Sequence, residues 1–437
     1  MRNQGEVSHA LITIAMEQTL DCLRQHYRVT EEGAGWYHYL DDPSPGISAS
    51  SVGLFVFQTT GRVFEHTDRV VRYLLDHQVQ GHGDYDGGWS VRTTRGFPVV
   101  EATGWVLRAL SGPECRMIGA QDALSRGVAW LCRNQNTDFG WGSYRGRPSR
   151  VFTTSLAMLA LQECGGDVKV VDNAQKWLID AQSPQSPAWG PTPGAEPTSL
   201  HTSIALLALL NQRGALGTNA VSQTCEWLLE HLTPGEHSEL RTTVEDYDVP
   251  YEWDGIADVF QNSMPHFAGP MALTAMLAAG ASPLSQEIFG AIRQIIDSQL
   301  EQGHWELPRS PTRPSIWAIH PFVQALAAAR DAVVPTPGSE AILLYSGCAI
   351  VQSTALHGRL TRNLLLRNVF FDWLRRRKVT VCLWVLAVCY ILVAWFLLAT
   401  GSIAPMDFVI SLILPVVVMI FHLLWERQSK SREDRAP

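Results

Sequence analysis

The sequence has few cysteines, and their spacing shows no pairing pattern. Eight cysteines are scattered along the 437 residues, without the closely spaced pairs that are typical of disulfide frameworks or zinc sites. Two of them, Cys382 and Cys389, lie inside a long uncharged run. The chain therefore fits a reducing compartment, and no metal site is predicted from cysteine.

The N-terminus also lacks the features of a secretory signal. Its first twenty residues contain no basic region followed by a continuous apolar stretch, so they are typical of an ordinary amphipathic helix.

Positive charge is scarce in most of the chain. Residues 1–358 contain 23 Lys/Arg and 37 Asp/Glu, a net charge of −14, whereas residues 359–437 contain 11 and 5, a net charge of +6; together they give the −8 of the whole chain. An acidic body has no long-range attraction for phosphate backbones, so we do not expect a nucleic-acid partner.

The basic tail surrounds two runs without charged residues. Residues 379–400 and 408–425 are 22 and 18 residues long, each enough to cross a bilayer as a helix. Seven Lys/Arg lie in 359–378 and four follow residue 425, but none lies between the runs. The pattern predicts a multi-pass protein of the inner (cytoplasmic) membrane, with the body and both termini in the cytoplasm. A hydrophobic hairpin buried in protein is the alternative.

A tryptophan in a glycine-rich turn recurs along the body, at spacings of 53, 52, 48, 64 and 52 residues. An apolar helical stretch precedes each turn, and a second one, rich in alanine and leucine, follows it. Units of this length cannot each enclose a core, so they must stack, and six of them suit a closed double ring. The six tryptophans are Trp36, Trp89, Trp141, Trp189, Trp253 and Trp305.

Several turns carry a glutamine as well as the tryptophan. Trp141 and Trp305 each stand six residues after a glutamine, Gln135 and Gln299; Gln78 and Gln182 hold the matching place in two other units, and Leu232 replaces the glutamine in a fifth. Over residues 10–330 this pattern resembles the QW repeats of squalene–hopene and oxidosqualene cyclases, within the terpenoid cyclase and protein prenyltransferase superfamily.

The resemblance implies an all-α fold with an (α/α)6 toroid, and the two uncharged runs predict that two transmembrane helices follow it. We predict the toroid at residues 1–335, a linker and basic juxtamembrane helix at 336–378, the transmembrane hairpin at 379–426 and a cytoplasmic tail at 427–437.

The catalytic motifs of the family are missing. The cyclase motif DxDD is absent, and the nearest string, Asp84-Tyr85-Asp86, ends in glycine; DDxxD is absent because Asp41-Asp42 continues into Pro-Ser-Pro. No Asp-x-Cys with a matching histidine suggests the zinc of prenyltransferases. Asp84 and Asp86 are candidate acids, with a turn role as the alternative. Whether the chain is an enzyme stays open.

In these toroids the starts of the inner helices line a cavity. Glu101, Trp105 and Arg108 share one face of such a helix, so Glu101 is a candidate acid beside a cation-stabilising ring. A capping carboxylate and core packing are the alternative. His201, His266 and His320 stand at the starts of other inner helices, as candidate ligand-binding residues or as satisfied polar residues.

The fourth unit carries an acidic and aromatic insertion. Asp246, Asp248, Tyr251 and Trp253 are candidate ligand-binding residues there, suited to a basic peptide, an ammonium group or a divalent cation at 245–258. A solvated acidic loop is the alternative. No other cofactor is predicted.

Two functions fit these features. The first is a membrane-anchored toroid that binds, and in a catalytic version transforms, an isoprenoid or other lipid-like ligand from the bilayer. The second is a non-catalytic sensor or scaffold for a peptide or protein in bacterial stress or antiviral defence, with the membrane hairpin as an effector that could oligomerise. A glycosidase on the same barrel is a third, but it leaves the Gln–Trp turns unexplained.

Overall fold

A computed structural model describes residues 9–91, 97–212, 215–232, 242–250, 259–283, 285–307, 313–333, 340–344 and 349–353. The chain divides into two compact units, Met1–Pro337 and Gly338–Pro437. The described helices all belong to the first unit. They are α1 (His9–His26), α2 (Ile47–Thr59), α3 (Thr67–Asp76), α4 (Val100–Leu110), α5 (Pro113–Met117), α6 (Gln121–Arg133), α7 (Val151–Cys164), α8 (Val168–Asp180), α9 (Ser199–Leu210), α10 (Thr218–Leu232), α11 (Ala268–Ala278), α12 (Gln286–Asp297) and α13 (Ile316–Ala332).

Within the part of the chain that the structure describes, there are also three antiparallel two-stranded hairpins. The strands are β1 (Arg28–Thr30) with β2 (Gly33–Gly35), β3 (Thr242–Pro250) with β4 (Val259–Phe267), and, in the second unit, β5 (Glu340–Leu344) with β6 (Ala349–Ser353). The β3–β4 ladder occupies the insertion of the fourth unit, and β5–β6 lies in the segment predicted as a linker and helix. The predicted domain bounds themselves stay predictions.

Two kinds of helix alternate along the first unit. In α7, all eleven residues from Val151 to Leu161 are buried, whereas α8 buries only four, Val171, Ala174, Trp177 and Leu178. A helix that is apolar all round needs neighbours on every side, and one with a single apolar stripe lies at a surface. The first kind therefore forms an inner layer and the second an outer layer.

The inner helices form a closed ring. In the order α2, α4, α7, α9, α11 and α13, each helix contacts the next, and α13 contacts α2. The first outer helix, α1, packs on α13, so the two ends of the unit meet. The predicted (α/α)6 arrangement is confirmed for this part of the chain.

The recurring tryptophans join each outer helix to the following inner helix. The indole N–H groups of Trp36, Trp89, Trp141, Trp189 and Trp305 donate to carbonyls in the last turn of the preceding outer helix, at 2.7–2.9 Å. In four of these turns the tryptophan backbone N–H also donates to a Ser or Thr hydroxyl at the fourth position of the next inner helix, at 2.9–3.0 Å. Each tryptophan thus satisfies a carbonyl that the helix end leaves open.

The glutamines join successive outer helices. The amide nitrogens of Gln78, Gln135 and Gln299 donate to the carbonyls of Ala123, Val170 and Ala15, at 2.9, 3.0 and 2.8 Å. The last of these contacts links Gln299, which follows α12, to Ala15 of α1, and so closes the outer ring.

A second set of contacts, which the sequence did not predict, joins inner helices near their carboxyl ends. Side chains of Arg330, Gln58, Arg108 and Gln162 bind Thr60, Ala109, Glu163 and Ala208, respectively, at 2.6–3.0 Å. They cover four of the six junctions of the inner ring, including the closing one between α13 and α2.

The predicted multi-pass location in the inner membrane was wrong. Within the described ranges, no helix combines the length and the apolar character that crossing a bilayer requires. The apolar inner helices reach 17 residues in α13, about 25 Å at 1.5 Å per residue, against the roughly 30 Å of a hydrocarbon core. The runs predicted as spans, 379–400 and 408–425, lie outside the described residues.

Candidate functional site

The face of α4 that the sequence singled out is buried. Glu101, Trp105 and Arg108 are 3, 3 and 9% exposed. The guanidinium carbon of Arg108 lies 5.2 Å from the centre of the Trp105 ring, as expected for residues one turn apart. The three side chains are therefore shielded from solvent.

Trp105 and Arg108 belong to a cluster that draws on three inner helices. Phe55 comes from α2 and His320 from α13. The ring of Trp105 lies 4.5 Å from that of His320 and 5.8 Å from that of Phe55, and the Arg108 guanidinium lies 4.5 Å from the Phe55 ring. We call Phe55, Trp105, Arg108 and His320 the interior cluster.

The position of the interior cluster follows from the order of the helices. α2 stands between α13 and α4 in the ring. A contact between His320 on α13 and Trp105 on α4 must therefore pass along the inner side of α2, where Phe55 lies. The cluster thus lines the inside of the ring.

The charge of Arg108 is matched locally. Its Nε and Nη2 donate to both carboxylate oxygens of Glu163, near the end of α7, at 2.9–3.1 Å. A two-point pair of this kind fixes the guanidinium plane and neutralises the buried cation. Arg108 is thereby held against the Phe55 and Trp105 rings.

Two ring nitrogens of the interior cluster have no hydrogen-bond partner among the residues that the structure describes. They are Nε1 of Trp105 and Nε2 of His320. Burial, with the Arg108 and His266 charges nearby, lowers the pKa of His320 well below its usual value, so the ring is neutral at pH 7. The cluster therefore presents an N–H donor and a neutral imidazole nitrogen.

Of the other predicted histidines, His201 lies on α9, whereas His266 is near enough to the interior cluster for its charge to act on His320. His201, buried on α9, has its Nδ1 2.7 Å from the hydroxyl of Thr198, which caps that helix. His266 is the next-to-last residue of β4, and its ring lies 4.4 Å from that of Phe152 on α7. No group of three metal-binding side chains occurs among the described residues.

Asp84 and Asp86 lie in the turn between α3 and α4. Asp86 accepts a hydrogen bond from the Gly81 backbone at 2.9 Å, and Asp84, 70% exposed, forms an ion pair with Arg145. Asp86 thus bonds within its own turn, whereas Asp84 pairs with a residue between α6 and α7. Asp246 and Asp248 lie on β3, opposite Ser263 and Gln261, whereas Tyr251 and Trp253 lie outside the described residues.

Sequence reasoning missed Phe55 and Glu163. Phe55 is one apolar residue in an apolar helix, so no local signal marks it. Glu163 carries a signal that could have been used, because it is the only charged residue of α7. A lone charge on a buried helix needs a partner, and Arg108 near the end of the adjacent inner helix was the available one.

No protein-family model matches the chain. The chain is 33% identical over 126 residues to a drimenyl diphosphate synthase of Streptomyces showdoensis, a match that covers 28% of this chain and 22% of that synthase. The match thus spans about a fifth of the length of that relative. The activity of the whole synthase is therefore not carried over to this chain.

Among solved structures, the chain is similar to a variant of the type II terpene cyclase MstE from Scytonema, with a TM-score of 0.50, 13% identity, and coverage of 74% of this chain and 99% of the cyclase. The fold is a terpenoid-cyclase-like α/α toroid. It is also similar to a glycoside hydrolase family 76 mannosidase from Bacteroides thetaiotaomicron, with a TM-score of 0.50, 10% identity, and coverage of 74% and 98%. Because both kinds of enzyme share the architecture, these likenesses show the fold alone.

Proposed function

We propose that the toroid binds an isoprenoid or other lipid-like ligand inside its inner ring. The observation that carries the proposal is the contact between Trp105 and His320 on the inner side of α2, beside Phe55. It places aromatic faces and a few polar atoms together in the ring, the combination that ligand sites for apolar molecules use.

The similar proteins support this ligand class. The MstE variant is in complex with geranylgeranyl dihydroxybenzoate, its substrate, and the partial relative is a synthase of drimenyl diphosphate. Both names refer to molecules with isoprenoid skeletons. For the present chain they supply a chemical class to test.

Glu101 is the predicted catalytic carboxyl that fits this site. It is buried on α4, about two turns before Arg108 on the same face. Asp86 accepts a hydrogen bond within the turn between α3 and α4, and the exposed Asp84 pairs with Arg145. In our proposal Glu101 therefore faces a bound ligand, and the two aspartates do not.

Thermal denaturation of the full chain tests the proposal. Geranylgeraniol should raise the melting temperature, and the rise should grow with its concentration. At one hundred times its dissociation constant, it should add about 2.7 kcal/mol to the free energy of unfolding. Phe55→Ala, which removes an aromatic face of the interior cluster, should reduce the increase relative to its own ligand-free protein. Met117→Ala, at an apolar residue 81% exposed on α5, is the control and should leave it unchanged.

The proposal fails on a clear outcome. Absence of stabilisation by geranylgeraniol, squalene and long-chain fatty alcohols, together with absence of lipid in organic extracts of the purified protein, would contradict it.

A further inference from the structure

The unpartnered nitrogens of the interior cluster bear on which end group the ligand carries. Trp105 Nε1 and His320 Nε2 belong to side chains that are 3 and 4% exposed, and neither atom has a hydrogen-bond partner among the described residues. A buried polar atom without a partner destabilises the protein, because it has lost its hydrogen bonds to water. The two rings are in contact, with 4.5 Å between their centres, so the two unpartnered nitrogens belong to adjacent side chains.

A single unpartnered indole would not indicate a ligand. Trp130 Nε1, on the outer helix α6, also has no partner within the described part of the chain. The interior cluster differs because a donor and an imidazole nitrogen from helices that are not neighbours in the ring stand side by side, on its inner face. Only the closure of the ring brings Trp105 of α4 and His320 of α13 side by side.

The charges around Trp105 and His320 decide which kind of ligand end group can bind there. Arg108 is a permanent cation beside these rings, and its guanidinium already donates to both carboxylate oxygens of Glu163. The carboxyl of Glu101 is buried on the same face of α4, and the imidazole of His320 is neutral. Apart from the imidazole of His266, whose charge acts on His320, a phosphate group entering here would meet no uncompensated positive charge from these residues, and most of its desolvation would go unmatched.

A hydroxyl group satisfies both nitrogens without a charge. Its oxygen accepts from the indole N–H, which can only donate, and it either donates to or accepts from the imidazole nitrogen, whichever tautomer is present. We infer that the interior cluster recognises the hydroxyl or a comparable neutral oxygen of an isoprenoid alcohol, and that it discriminates against prenyl diphosphates. This inference rests on the proposed function and specifies its ligand class.

Three probes with one carbon skeleton test it: geranylgeraniol, its deoxy hydrocarbon and geranylgeranyl diphosphate, each titrated against the full chain. We expect the alcohol to bind roughly tenfold more tightly than the hydrocarbon, as one net hydrogen bond to a buried polar site provides. The diphosphate should bind more weakly than the alcohol.

Variants then locate the preference. Trp105→Phe and His320→Phe keep a ring at each position and remove the nitrogen, so each should reduce the alcohol-to-hydrocarbon ratio to about threefold or less. Trp130→Phe removes an unpartnered N–H outside the inner ring and should keep the full ratio. Because the ratio compares two probes on the same variant, a general loss of stability cancels.

The outcomes separate the two proposals. Equal binding of alcohol and hydrocarbon, tightest binding of the diphosphate, or an unchanged ratio in both interior variants overturns the inference while ligand binding by the toroid stands. If none of the three probes binds, and the broader lipid panel also fails, the proposed function falls and the inference falls with it.

Discussion

Arg108 carries charge into the interior of the toroid, and Glu163 matches it. The two side chains are 10 and 27% exposed, so the pair is shielded from water more than a surface ion pair is. Loss of one partner leaves the other charge buried and unmatched, whereas loss of both does not.

A double-mutant cycle measures this pairing. Arg108→Met and Glu163→Met should each lower the free energy of unfolding by about 2 kcal/mol or more, and the double variant should lose less than the sum, with a coupling of about 1–2 kcal/mol. Urea denaturation of the four proteins gives the values. Strictly additive losses would show that the two-point contact does not stabilise the fold.

Two histidines make the free energy of unfolding depend on pH, and the direction follows from their lowered pKa values. Burial lowers the pKa of His38 to about 4, and it lowers that of His320 well below the usual value of 6.5. Between about 4 and 6.5 the unfolded chain therefore binds more protons, so the free energy of unfolding falls as the pH drops through this window.

Melting curves between pH 7 and pH 4 check this expectation. His38→Asn and His320→Phe should each reduce the loss of stability on acidification, since each removes one such group. An unchanged slope in both variants would mean that other groups account for the acid sensitivity.

The closing joint of the outer ring depends on one glycine. Gly303 has a φ of 87°, and a Cβ there would meet the backbone oxygen of Gln18 on α1. Gly303→Ala should therefore lower the free energy of unfolding by about 2–4 kcal/mol. Gly290→Ala, in the middle of α12 where a Cβ meets nothing within 4 Å, is the matched control and should raise it by about 0.5–1 kcal/mol. Chemical denaturation distinguishes these opposite signs.

The glutamines can be tested in the same way. Gln299→Leu removes hydrogen bonds to Ala15 and Thr19 across the closing joint and should cost about 1–2 kcal/mol. Gln182→Leu changes a glutamine at a matching place for which no side-chain hydrogen bond is described, so its effect should stay within about 0.5 kcal/mol. Similar losses in both would argue against a specific role for the Gln299 contact.

The elements differed in how far the sequence revealed them. The helix pairs were predictable because the joints repeat a tryptophan in a glycine-rich turn next to apolar stretches, with a glutamine added in four of the six units. The ladder between Thr242–Pro250 and Val259–Phe267 was missed because the acidic and aromatic residues of the insertion were interpreted as a loop. The carboxyl-end contacts were missed for another reason: three of them join residues 46 to 55 positions apart, the closing one joins residues 270 apart, and none has a local signature.

At the scale of the whole molecule, the closed ring does not decide the function. A terpene cyclase and a mannosidase share the architecture, so function has to be argued from side chains inside the ring. Glu101, Trp105, Arg108 and His320 were candidates from sequence because the starts of the inner helices line a cavity in the toroids that this chain resembles, and because the first three share one helix face. Their assembly with Phe55 needed the fold, since it depends on the order in which the helices close.

Photo-crosslinking tests most directly where the ligand binds. A geranylgeraniol analogue that carries a diazirine would be activated on the full chain, and the labelled peptides would be mapped by mass spectrometry. We predict labels on α2, α4 and α13 that excess geranylgeraniol suppresses. Labels confined to exposed apolar residues such as Met117 and Val168, or spread along the chain and insensitive to geranylgeraniol, would contradict a ligand site inside the ring.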